Sequence, residues 1–484
     1  MWIKLISPRM RMRPVDSAFK THMAPPLGLL VLGALTPPEN RVTIADENVE
    51  RVRLDDRPDL VGITVKVDTA QRSWEIARRY RERGIRVVFG GIHATACPDE
   101  NLPHCDALVV GPAEKVWADV LRDARTGLLQ SVYHTRGPAD IARMPVPRWE
   151  LLAGKNYLYT NTLVVGRGCP WQCEFCYSSG ANFPRGYQMK PVENVLAEIA
   201  SLGARHVMFI DDNFIGSPAR AARLVEAIRP LGLTWHAAVS ADIGRHEPLL
   251  DAMAETGCKS LFIGFETTNP RNLAACHKRQ NRVDEYDRTI EAIHQRGMMV
   301  NASLAFGFDA DTNDVFEDTM AWLVARRIET MTAHILTPYP GTALHARLER
   351  EGRITDRDLS HYNTSHVVFR PARMDPGELR EGYLWMYREF YSWARIVERM
   401  PLGTPRLRPF LAFNLIYRKA RWFAAALGRL GLMGLMGRAF KGMSYWGAGG
   451  RALPADSGAL RADEPRAADG VAPAGRLAEG RTPE

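Results

Sequence analysis

Cysteine is scarce in this chain, which holds seven among 484 residues. So low a count excludes a small secreted scaffold built on disulfides, because such scaffolds concentrate many cysteines in few residues. Long apolar runs are missing as well. The opening sequence MWIKLISPRMRMR has no stretch long enough for a signal peptide, and no segment approaches the roughly 20 apolar residues that a membrane-spanning helix requires. We therefore expect a protein of the reducing cytoplasm.

Acidic residues are absent from one long segment. Residues 399–455 contain ten Lys or Arg residues and no Asp or Glu, in a chain whose net charge is a modest +8. This composition is typical of a helix lying on an anionic membrane, but also of a helix that covers one side of an α/β domain. Weak peripheral contact with the inner membrane face through 399–455 is one expectation, and a structural lid is the other. No nucleic-acid partner is expected.

The residues that are present form two α/β series, and the length predicts two or three domains. Residues 1–125 alternate apolar strands with helical patterns, which predicts a doubly wound parallel sheet with ligands at the carboxyl ends of its strands. The five expected strands are residues 2–7, 42–46, 60–65, 87–92 and 107–111.

A Pro-containing linker at residues 126–160 leads into the second series, residues 161–345. Strand and helix units of similar length predict either an open sheet or a partial parallel barrel of six strands. Beyond it, residues 346–449 form a helical region expected to pack on the barrel, and residues 450–484 have the composition of a disordered tail. The six expected strands are residues 163–168, 206–212, 234–242, 260–266, 300–308 and 332–339.

Three of the seven cysteines lie within eight residues, in the stretch GRGCPWQCEFCYSS. Cys169, Cys173 and Cys176 follow a C-x3-C-x2-C spacing on a loop that leaves the first strand of the second series. Three thiolates can hold three irons of a [4Fe-4S] cluster and leave the fourth iron open for a substrate or cofactor. Zinc is the alternative, but a closed zinc site needs a fourth ligand, and neither Cys258 nor any histidine has a complementary spacing.

With Phe175 before the last cysteine, the motif resembles the signature of radical S-adenosylmethionine (SAM) enzymes, over roughly residues 160–345. The resemblance implies a cluster whose open iron chelates SAM. It also implies reductive cleavage to a 5′-deoxyadenosyl radical, with an electron donor such as flavodoxin or ferredoxin. It places further cofactor-binding side chains at the strand ends. These are Phe175 near the adenine, Asp211 and Asp212 at the methionyl amino group, Glu266 at the ribose and, as a weaker match, Ser240. A strand-end cap or a salt bridge is the other interpretation of each carboxylate.

The first series resembles the cobalamin-binding domain fused to many such enzymes. The resemblance rests on PPLGLLVLGAL, GITVKVDTA, FGGIHAT and VVGPAE, and it implies that Thr64, Gly90 and Gly91 line the slot for the nucleotide tail. The D-x-H-x-x-G motif is absent, and His22, in the corresponding loop, is followed by Met-Ala-Pro. Cobalamin is therefore expected to bind without a histidine on cobalt. A domain that no longer binds cobalamin is the alternative.

Together the resemblances imply a cobalamin-dependent radical SAM enzyme, most simply a methyltransferase acting on an unactivated carbon of a small-molecule or lipid-like substrate. In that reaction one SAM methylates cob(I)alamin, the adenosyl radical abstracts a substrate hydrogen, and methylcobalamin donates the methyl group. The alternatives are a cyclase or rearrangement enzyme without net methylation, and a non-catalytic iron-sulfur sensor.

The cysteines outside the motif have less specific surroundings. Cys97, Cys105 and Cys258 are expected to be packing residues, whereas Cys276 could face the site as a hydrogen donor. His334 and Tyr339, in or after the last strand, are expected to shape the substrate pocket.

Overall fold

The computed structural model describes residues 1–16, 22, 24–135 and 137–436. Its N-terminal part is a sheet of six parallel strands in the order β2-β1-β3-β4-β5-β6. The strands are β1 (Trp2–Ser7), β2 (Arg41–Asp46), β3 (Leu60–Thr64), β4 (Arg86–Gly90), β5 (Ala107–Val110) and β6 (Val132–His134). The five predicted strands are confirmed. The sixth comes from the stretch interpreted as a linker, because buried Tyr133 extends the sheet at its edge.

Helices cover both faces of this sheet. They are α1 (Leu27–Leu35), α2 (Ala70–Arg81), α3 (Ile92–Ala96), α4 (Pro98–Asn101) and α5 (Trp117–Thr126). Leu5 packs in one apolar cluster with α1 and α5, and its neighbour Ile6 packs in the opposite cluster with α2. Adjacent strand residues point to opposite faces, so the doubly wound sheet predicted from the sequence is confirmed.

A second sheet of six parallel strands follows, in the order β14-β13-β12-β11-β10-β7. Among the described residues β7 and β14 pair on one side only, so the sheet is open. The strands after β6 are β7 (Thr162–Leu163), β8 (Gly166–Cys169), β9 (Gly186–Met189), β10 (His206–Phe209), β11 (Thr234–Ser240), β12 (Cys258–Glu266), β13 (Met299–Phe306) and β14 (Thr330–Ile335). The accompanying helices are α6 (Val192–Leu202), α7 (Pro218–Ala227), α8 (Glu247–Glu255), α9 (Pro270–Ala275), α10 (Tyr286–Gln295), α11 (Val315–Ala325) and α12 (Ala343–Arg350).

The strand predicted at residues 163–168 is wrong in its extent. Only β7 joins the sheet, and β8 turns away to pair antiparallel with β9. The backbone amides of Val165 and Gly166 donate to the Asp211 carboxylate, at 3.0 and 2.5 Å, instead of continuing the ladder with β10. Gly168 then takes a φ of +78°, which favours glycine. The cysteines therefore leave from a separate hairpin.

The C-terminal region seals the free edge of β14. It consists of α13 (Pro376–Phe390), α14 (Trp393–Glu398) and α15 (Leu407–Arg429). The Tyr387 hydroxyl bonds the backbone N and O of Ala333, and the Tyr391 hydroxyl does the same at Met331, at 2.8–3.2 Å. Edge strands otherwise expose such groups to other chains. The predicted disordered tail at 450–484, and the part of the basic segment beyond residue 436, lie outside the described residues.

Candidate active site

The three motif cysteines lie on a loop held by its own backbone and by serines. Cys169 ends β8, and the Cys176 amide donates to the Cys173 carbonyl at 3.0 Å. The Ser179 hydroxyl donates to the carbonyls of Cys173 and Cys176, at 2.9 and 2.7 Å. Burial raises the pKa of all three thiols, that of Cys169 to about 11. They are therefore protonated at neutral pH unless a metal replaces the protons.

The spacing of the three sulfurs is informative about the metal. Zinc with Zn–S bonds of about 2.3 Å holds tetrahedral sulfurs about 3.8 Å apart. Across the described part of the chain, one set of three His, Cys, Asp or Glu side chains has its ligand atoms all within 4.8 Å, and the motif cysteines are not that set. The three sulfurs therefore do not all lie within 4.8 Å of one another, which favours a multi-iron cluster over the zinc alternative.

Residues 276–280, which the sequence analysis passed over except for Cys276, lie directly against the cysteine loop. The Glu174 amide donates to the Cys276 carbonyl at 2.9 Å. Cys276, Lys278 and Gln280 are buried, whereas the intervening His277 and Arg279 are exposed. This strand-like alternation turns one side of the segment toward the thiols and the other toward solvent. The Cys276 thiol contacts the Leu273 carbonyl at 3.6 Å, as a packing residue does.

The inner side of this segment brings charge and a hydrogen-bond donor to the cysteines. Gln280 Nε2 donates to Cys173 Sγ at 3.7 Å. Lys278 Nζ donates to Glu266 Oε1 at 2.8 Å and lies 5.9 Å from the centre of the Phe175 ring. Burial alone would lower the pKa of Lys278, but Glu266 and Cys173 raise it. Lys278 is therefore a permanent cation beside the cluster loop. In the sequence, the polar run KRQN at residues 278–281, which follows the strand ending at Glu266, could have indicated the side chains of Lys278 and Gln280.

Among the predicted strand-end residues, Glu266 and Phe175 lie together around Lys278. Glu266 ends β12 at a register irregularity and has a φ of +65°. A non-glycine residue in this left-handed region is strained, and such strain concentrates at functional sites. Phe175 packs edge-on against Phe308, with ring centres 6.3 Å apart.

The other predicted strand-end residues form two separate groups. Asp211 is buried and braces the backbone of Val165 and Gly166, and burial raises its pKa to about 7. Asp212 is exposed and accepts a bond from the Tyr177 hydroxyl at 2.8 Å. Ser240 belongs to a network that joins the ends of β10 and β11. In that network Asn213 donates to Ser240 Oγ at 3.1 Å, and Ser240 donates to Asp242 at 2.5 Å.

Three buried side-chain oxygens near the carboxyl ends of the second sheet's strands have no hydrogen-bond partner: Asp211 Oδ2, Gln280 Oε1 and Asn281 Oδ1. Asn281 is fixed at the end of β12, because its Nδ2 donates to the Gly264 carbonyl at 2.8 Å. An unsatisfied buried polar atom costs about 1–3 kcal/mol. SAM carries an ammonium, an adenine amine and ribose hydroxyls, all of which are donors. The residues present therefore fit a thiolate-held cluster with SAM beside it.

A cavity of about 550 Å³ opens at the carboxyl ends of the first sheet, and Thr64, Gly90 and Gly91 line it. That this cavity is the slot for the nucleotide tail stays a prediction. The two glycines differ. Gly91 has a φ of +103°, and a Cβ there would lie 2.9 Å from Thr64 Oγ1 and 3.0 Å from the Val65 backbone. A Cβ on Gly90 would meet nothing nearer than Val109, at 3.9 Å. Gly91 is thus required by the turn itself, whereas Gly90 and Thr64 leave room for a nucleotide tail. The expected absence of an axial histidine stays a prediction.

A third feature is a chamber of about 460 Å³ between the two sheets and the C-terminal region. It shares Met10 and Lys66 with the cavity of the first sheet. It shares Tyr177 and Phe183 with a cleft of about 350 Å³ beside the cysteine hairpin. His334 and Tyr339, which the sequence analysis expects to shape the substrate pocket, line this chamber. Sequence reasoning missed Arg13, which is buried, pairs with Asp16 at 2.8 Å and donates to Thr364 at 2.9 Å.

Three family models match parts of the chain. The radical SAM superfamily matches residues 163–323, a B12 binding domain matches residues 23–121, and a domain of unknown function matches residues 342–440. The bacteriochlorophyllide d C-12(1)-methyltransferase of Chlorobaculum tepidum is 28% identical over 387 residues, covering 78% of this chain and 84% of that protein. The hopanoid C-2 methylase of Rhodopseudomonas palustris is 31% identical over 360 residues, covering 71% and 68%.

The fold has a solved counterpart in the radical SAM methyltransferase TsrM from Kitasatospora setae, a structure with cobalamin and a [4Fe-4S] cluster bound. It aligns with a TM-score of 0.63 at 17% identity, over 90% of this chain and 99% of that one. The three-cysteine loop, the unsatisfied acceptors beside it and the glycine-lined cavity of the first sheet suit the same cofactors. With these matches, the chain is a member of the radical SAM superfamily that couples a B12 binding domain to its radical SAM domain.

Proposed function

We propose that this enzyme methylates an unactivated carbon of a small molecule held in the 460 Å³ chamber. The observation that carries the proposal is the position of the chamber, which borders both the cavity of the first sheet and the cleft at the cysteine hairpin. When bound, the cofactors supply the radical and the methyl group. A substrate in the chamber is within reach of both sources.

The residues of the chain hold these components and orient the substrate. Cys169, Cys173 and Cys176 are proposed to hold the cluster, with Gln280 and Lys278 supporting them. Burial and the nearby Asp68 raise the pKa of Tyr339, so its hydroxyl stays protonated and can donate to the substrate. Arg13 is neutralised by Asp16. Most of the remaining chamber wall is carbon, which favours a largely apolar substrate.

The electron donor is proposed to be an acidic carrier of the flavodoxin or ferredoxin kind. His277 and Arg279 are exposed on the outer side of the segment whose inner side touches the cysteines, and nearby Arg282 is exposed but pairs with Glu285 at 3.2 Å. Basic side chains at this position favour an acidic partner by electrostatic attraction. Arg279 adjoins Lys278 and Gln280 in sequence, and both of these residues act on Cys173 of the cluster loop.

We also propose weak contact of the C-terminal region with the inner membrane face, in the cytoplasm. No helix among residues 1–16, 22, 24–135 and 137–436 is long and apolar enough to cross a bilayer. Nine of the fifteen exposed large apolar side chains of the described residues nevertheless lie between 393 and 435. They are Trp393, Val397, Leu402, Leu415, Tyr417, Phe423, Leu430, Leu432 and Leu435.

The basic residues of the same region divide between two roles. Arg399 is fully buried and donates both to the Ile328 carbonyl just before β14, at 2.5 Å, and to Asn414 Oδ1 in α15, at 3.4 Å. Arg406, just before α15, pairs with buried Glu329. These cations anchor α15 to the second sheet, as the lid interpretation requires. Arg408, Arg418 and Arg429 are exposed, and each cation near an anionic surface contributes about 1 kcal/mol. A substrate with lipid-like character would reach the chamber from such a surface.

Vesicle sedimentation at low and high salt tests the membrane contact. The full chain should sediment with anionic vesicles at low salt, and the variant Leu430→Ser/Leu435→Ser should sediment less. Leu128→Ser is the matched control, since Leu128 is 73% exposed in the first domain. Equal sedimentation of all three proteins, or none at low salt, leaves α15 as a lid only.

The methylation itself is tested by the fate of SAM. Anaerobically reconstituted enzyme with cobalamin and a reductant should form both 5′-deoxyadenosine and S-adenosylhomocysteine, since the second product requires loss of the methyl group. A cyclase or rearrangement enzyme should form 5′-deoxyadenosine without S-adenosylhomocysteine. An iron-sulfur sensor should form neither product. Either of these two results would overturn the proposal.

A further inference from the structure

We propose that His93, Cys97 and Glu100 bind one zinc ion, at a site separate from the cluster and from cobalamin. The three side chains follow an H-x3-C-x2-E spacing across α3 and α4. Within the described residues they are the one set of three His, Cys, Asp or Glu whose ligand atoms all lie within 4.8 Å of one another.

The contact between the imidazole and the carboxylate does not have the geometry of a hydrogen bond. His93 Nε2 lies 3.0 Å from Glu100 Oε2, and the His93 side chain is 1% exposed. Yet no acceptor or donor meets both the distance and the angle that a hydrogen bond to Nε2 requires. Two ligand atoms on one zinc ion, with bonds of about 2.0–2.1 Å, lie roughly 3.3 Å apart. The observed distance between Nε2 and Oε2 is thus close to the distance between two ligand atoms of one zinc ion.

The thiol is the second argument. A Cys97 sulfur contributes little to a histidine–glutamate ion pair, but it completes a nitrogen, sulfur and oxygen donor set, which suits zinc and not the hard ions calcium or magnesium. Glu100 is 40% exposed, so water can occupy a fourth position. On binding, Cys97 releases its proton to solvent. The thiolate and the carboxylate then balance the two positive charges of the ion.

The backbone that carries the three side chains is held in place beforehand. The His93 amide donates to the Val65 carbonyl at 3.0 Å, and Asn101 Nδ2 donates to the Cys97 carbonyl at 2.9 Å. Asn101 is fully buried and accepts a bond from Trp74 Nε1 at 3.1 Å. These bonds fix the backbone from which the three side chains extend.

The position gives the ion a structural role. His93 lines the chamber, and α3 begins directly after Gly91 in the cavity wall of the first sheet. An ion that ties α3 to α4 would therefore stiffen the wall shared by these two spaces. The site contains none of the motif cysteines, so it can be tested independently of the methylation.

The experiment uses the holoenzyme, loaded with its cluster and cobalamin, then equilibrated with zinc sulfate and desalted. Elemental analysis should find one zinc per chain. The extended X-ray absorption fine structure at the zinc edge should show one sulfur neighbour, with the remaining neighbours nitrogen or oxygen. Cys97→Ala, His93→Asn and Glu100→Gln should each weaken zinc binding at least tenfold. Cys105→Ala is the matched control, since Cys105 is a buried thiol nearby that lies outside the set, and it should bind zinc normally.

Circular dichroism and the cluster absorbance check that each variant is folded. Zinc retained equally by folded Cys97→Ala would show that the three side chains form only an ion pair with an adjacent thiol. A zinc spectrum with three sulfur neighbours would place the metal at the motif cysteines. Either result overturns the proposal.

Discussion

In each of the two sheets the candidate site lies at the carboxyl ends of the parallel strands, but the kinds of residues that form the site differ. The cavity of the first sheet depends on backbone shape at Gly90 and Gly91, with Thr64 beside them. The site of the second sheet depends on buried ionisable groups, which are the Lys278–Glu266 ion pair and Asp211, whose pKa burial raises to about 7. The same architecture thus supplies an open cavity in the first sheet and a site of buried ionisable groups and thiols in the second.

The largest effect should come from removing the metal ligands, and it should be confined to one sheet. Replacing Cys169, Cys173 and Cys176 together with Ala should abolish iron binding at the motif while leaving cobalamin binding intact, because no motif cysteine lines the cavity of the first sheet. Iron and cobalamin contents after anaerobic reconstitution measure this. Loss of both cofactors together would show that the two sites are one cooperative unit.

Lys278→Met should have the next largest effect. It leaves the Glu266 carboxylate without its partner, and breaking a buried ion pair costs about 3–5 kcal/mol. Because Lys278 also places a positive charge near Cys173, its loss should make the cluster harder to reduce. Thermal unfolding gives the first effect, and a redox titration followed by electron spin resonance gives the second.

The double variant Lys278→Met/Glu266→Gln is the control for the Lys278 prediction. It should recover much of the stability and part of the reduction potential, because Glu266 also acts on Cys173 and its negative charge is removed together with the positive charge of Lys278. An unchanged potential in Lys278→Met would mean that the lysine is only a structural partner of Glu266.

Asp211 should make stability depend on pH. Its pKa rises from 3.8 to about 7 by burial, so the folded state keeps the proton up to about pH 7 while the unfolded chain loses it near pH 4. Stability contributed by this group is present below pH 4 and is lost as pH rises toward 7, by up to about 1.4 kcal/mol per pH unit.

Asp211→Asn removes that dependence, because the amide does not titrate, and its oxygen can still accept from Val165 and Gly166. Unfolding midpoints of both proteins without SAM, from pH 4 to 7, measure the difference. A difference that stays constant over this range would contradict a raised pKa for Asp211.

The smallest expected effect is a difference between Gly90 and Gly91 in how their substitution changes stability and cobalamin content. Gly91→Ala places a side chain at a φ of +103° and against Val65, and an L-residue in the left-handed region costs roughly 1–2 kcal/mol. It should lower both stability and cobalamin content. Gly90→Ala should change little, whereas Gly90→Leu should lower cobalamin content alone by filling the cavity. Equal losses in Gly90→Ala and Gly91→Ala would contradict this distinction.

The strands and the cysteine motif could be predicted because their signals are local. Apolar runs such as residues 60–65 mark buried strands wherever they occur, and C-x3-C-x2-C is a short motif. The interruption of the predicted strand at residue 165 could not be predicted. It occurs because the backbone amides of Val165 and Gly166 donate to the Asp211 carboxylate, some 46 residues later, and not to a neighbouring strand.

Lys278 and Gln280 were missed for the same physical reason. Their function follows from the packing of residues 276–280 against the cysteine loop, a contact made by the Cys276 carbonyl more than 100 residues from the motif. Likewise, Tyr387 and Tyr391 read as helical packing residues, but their hydroxyls complete the edge of β14. Side chains whose role depends on distant backbone carry no local pattern.

Cleavage of SAM tests the central claim most directly. The reconstituted full chain, reduced anaerobically with dithionite and given SAM, should form 5′-deoxyadenosine, and the chain with Ala at positions 169, 173 and 176 should form none. About four irons per chain at the motif should accompany the activity, as ligation of a [4Fe-4S] cluster by three cysteines implies. Undiminished 5′-deoxyadenosine from the triple variant, or none from a wild-type chain with its cluster fully loaded, would contradict the account.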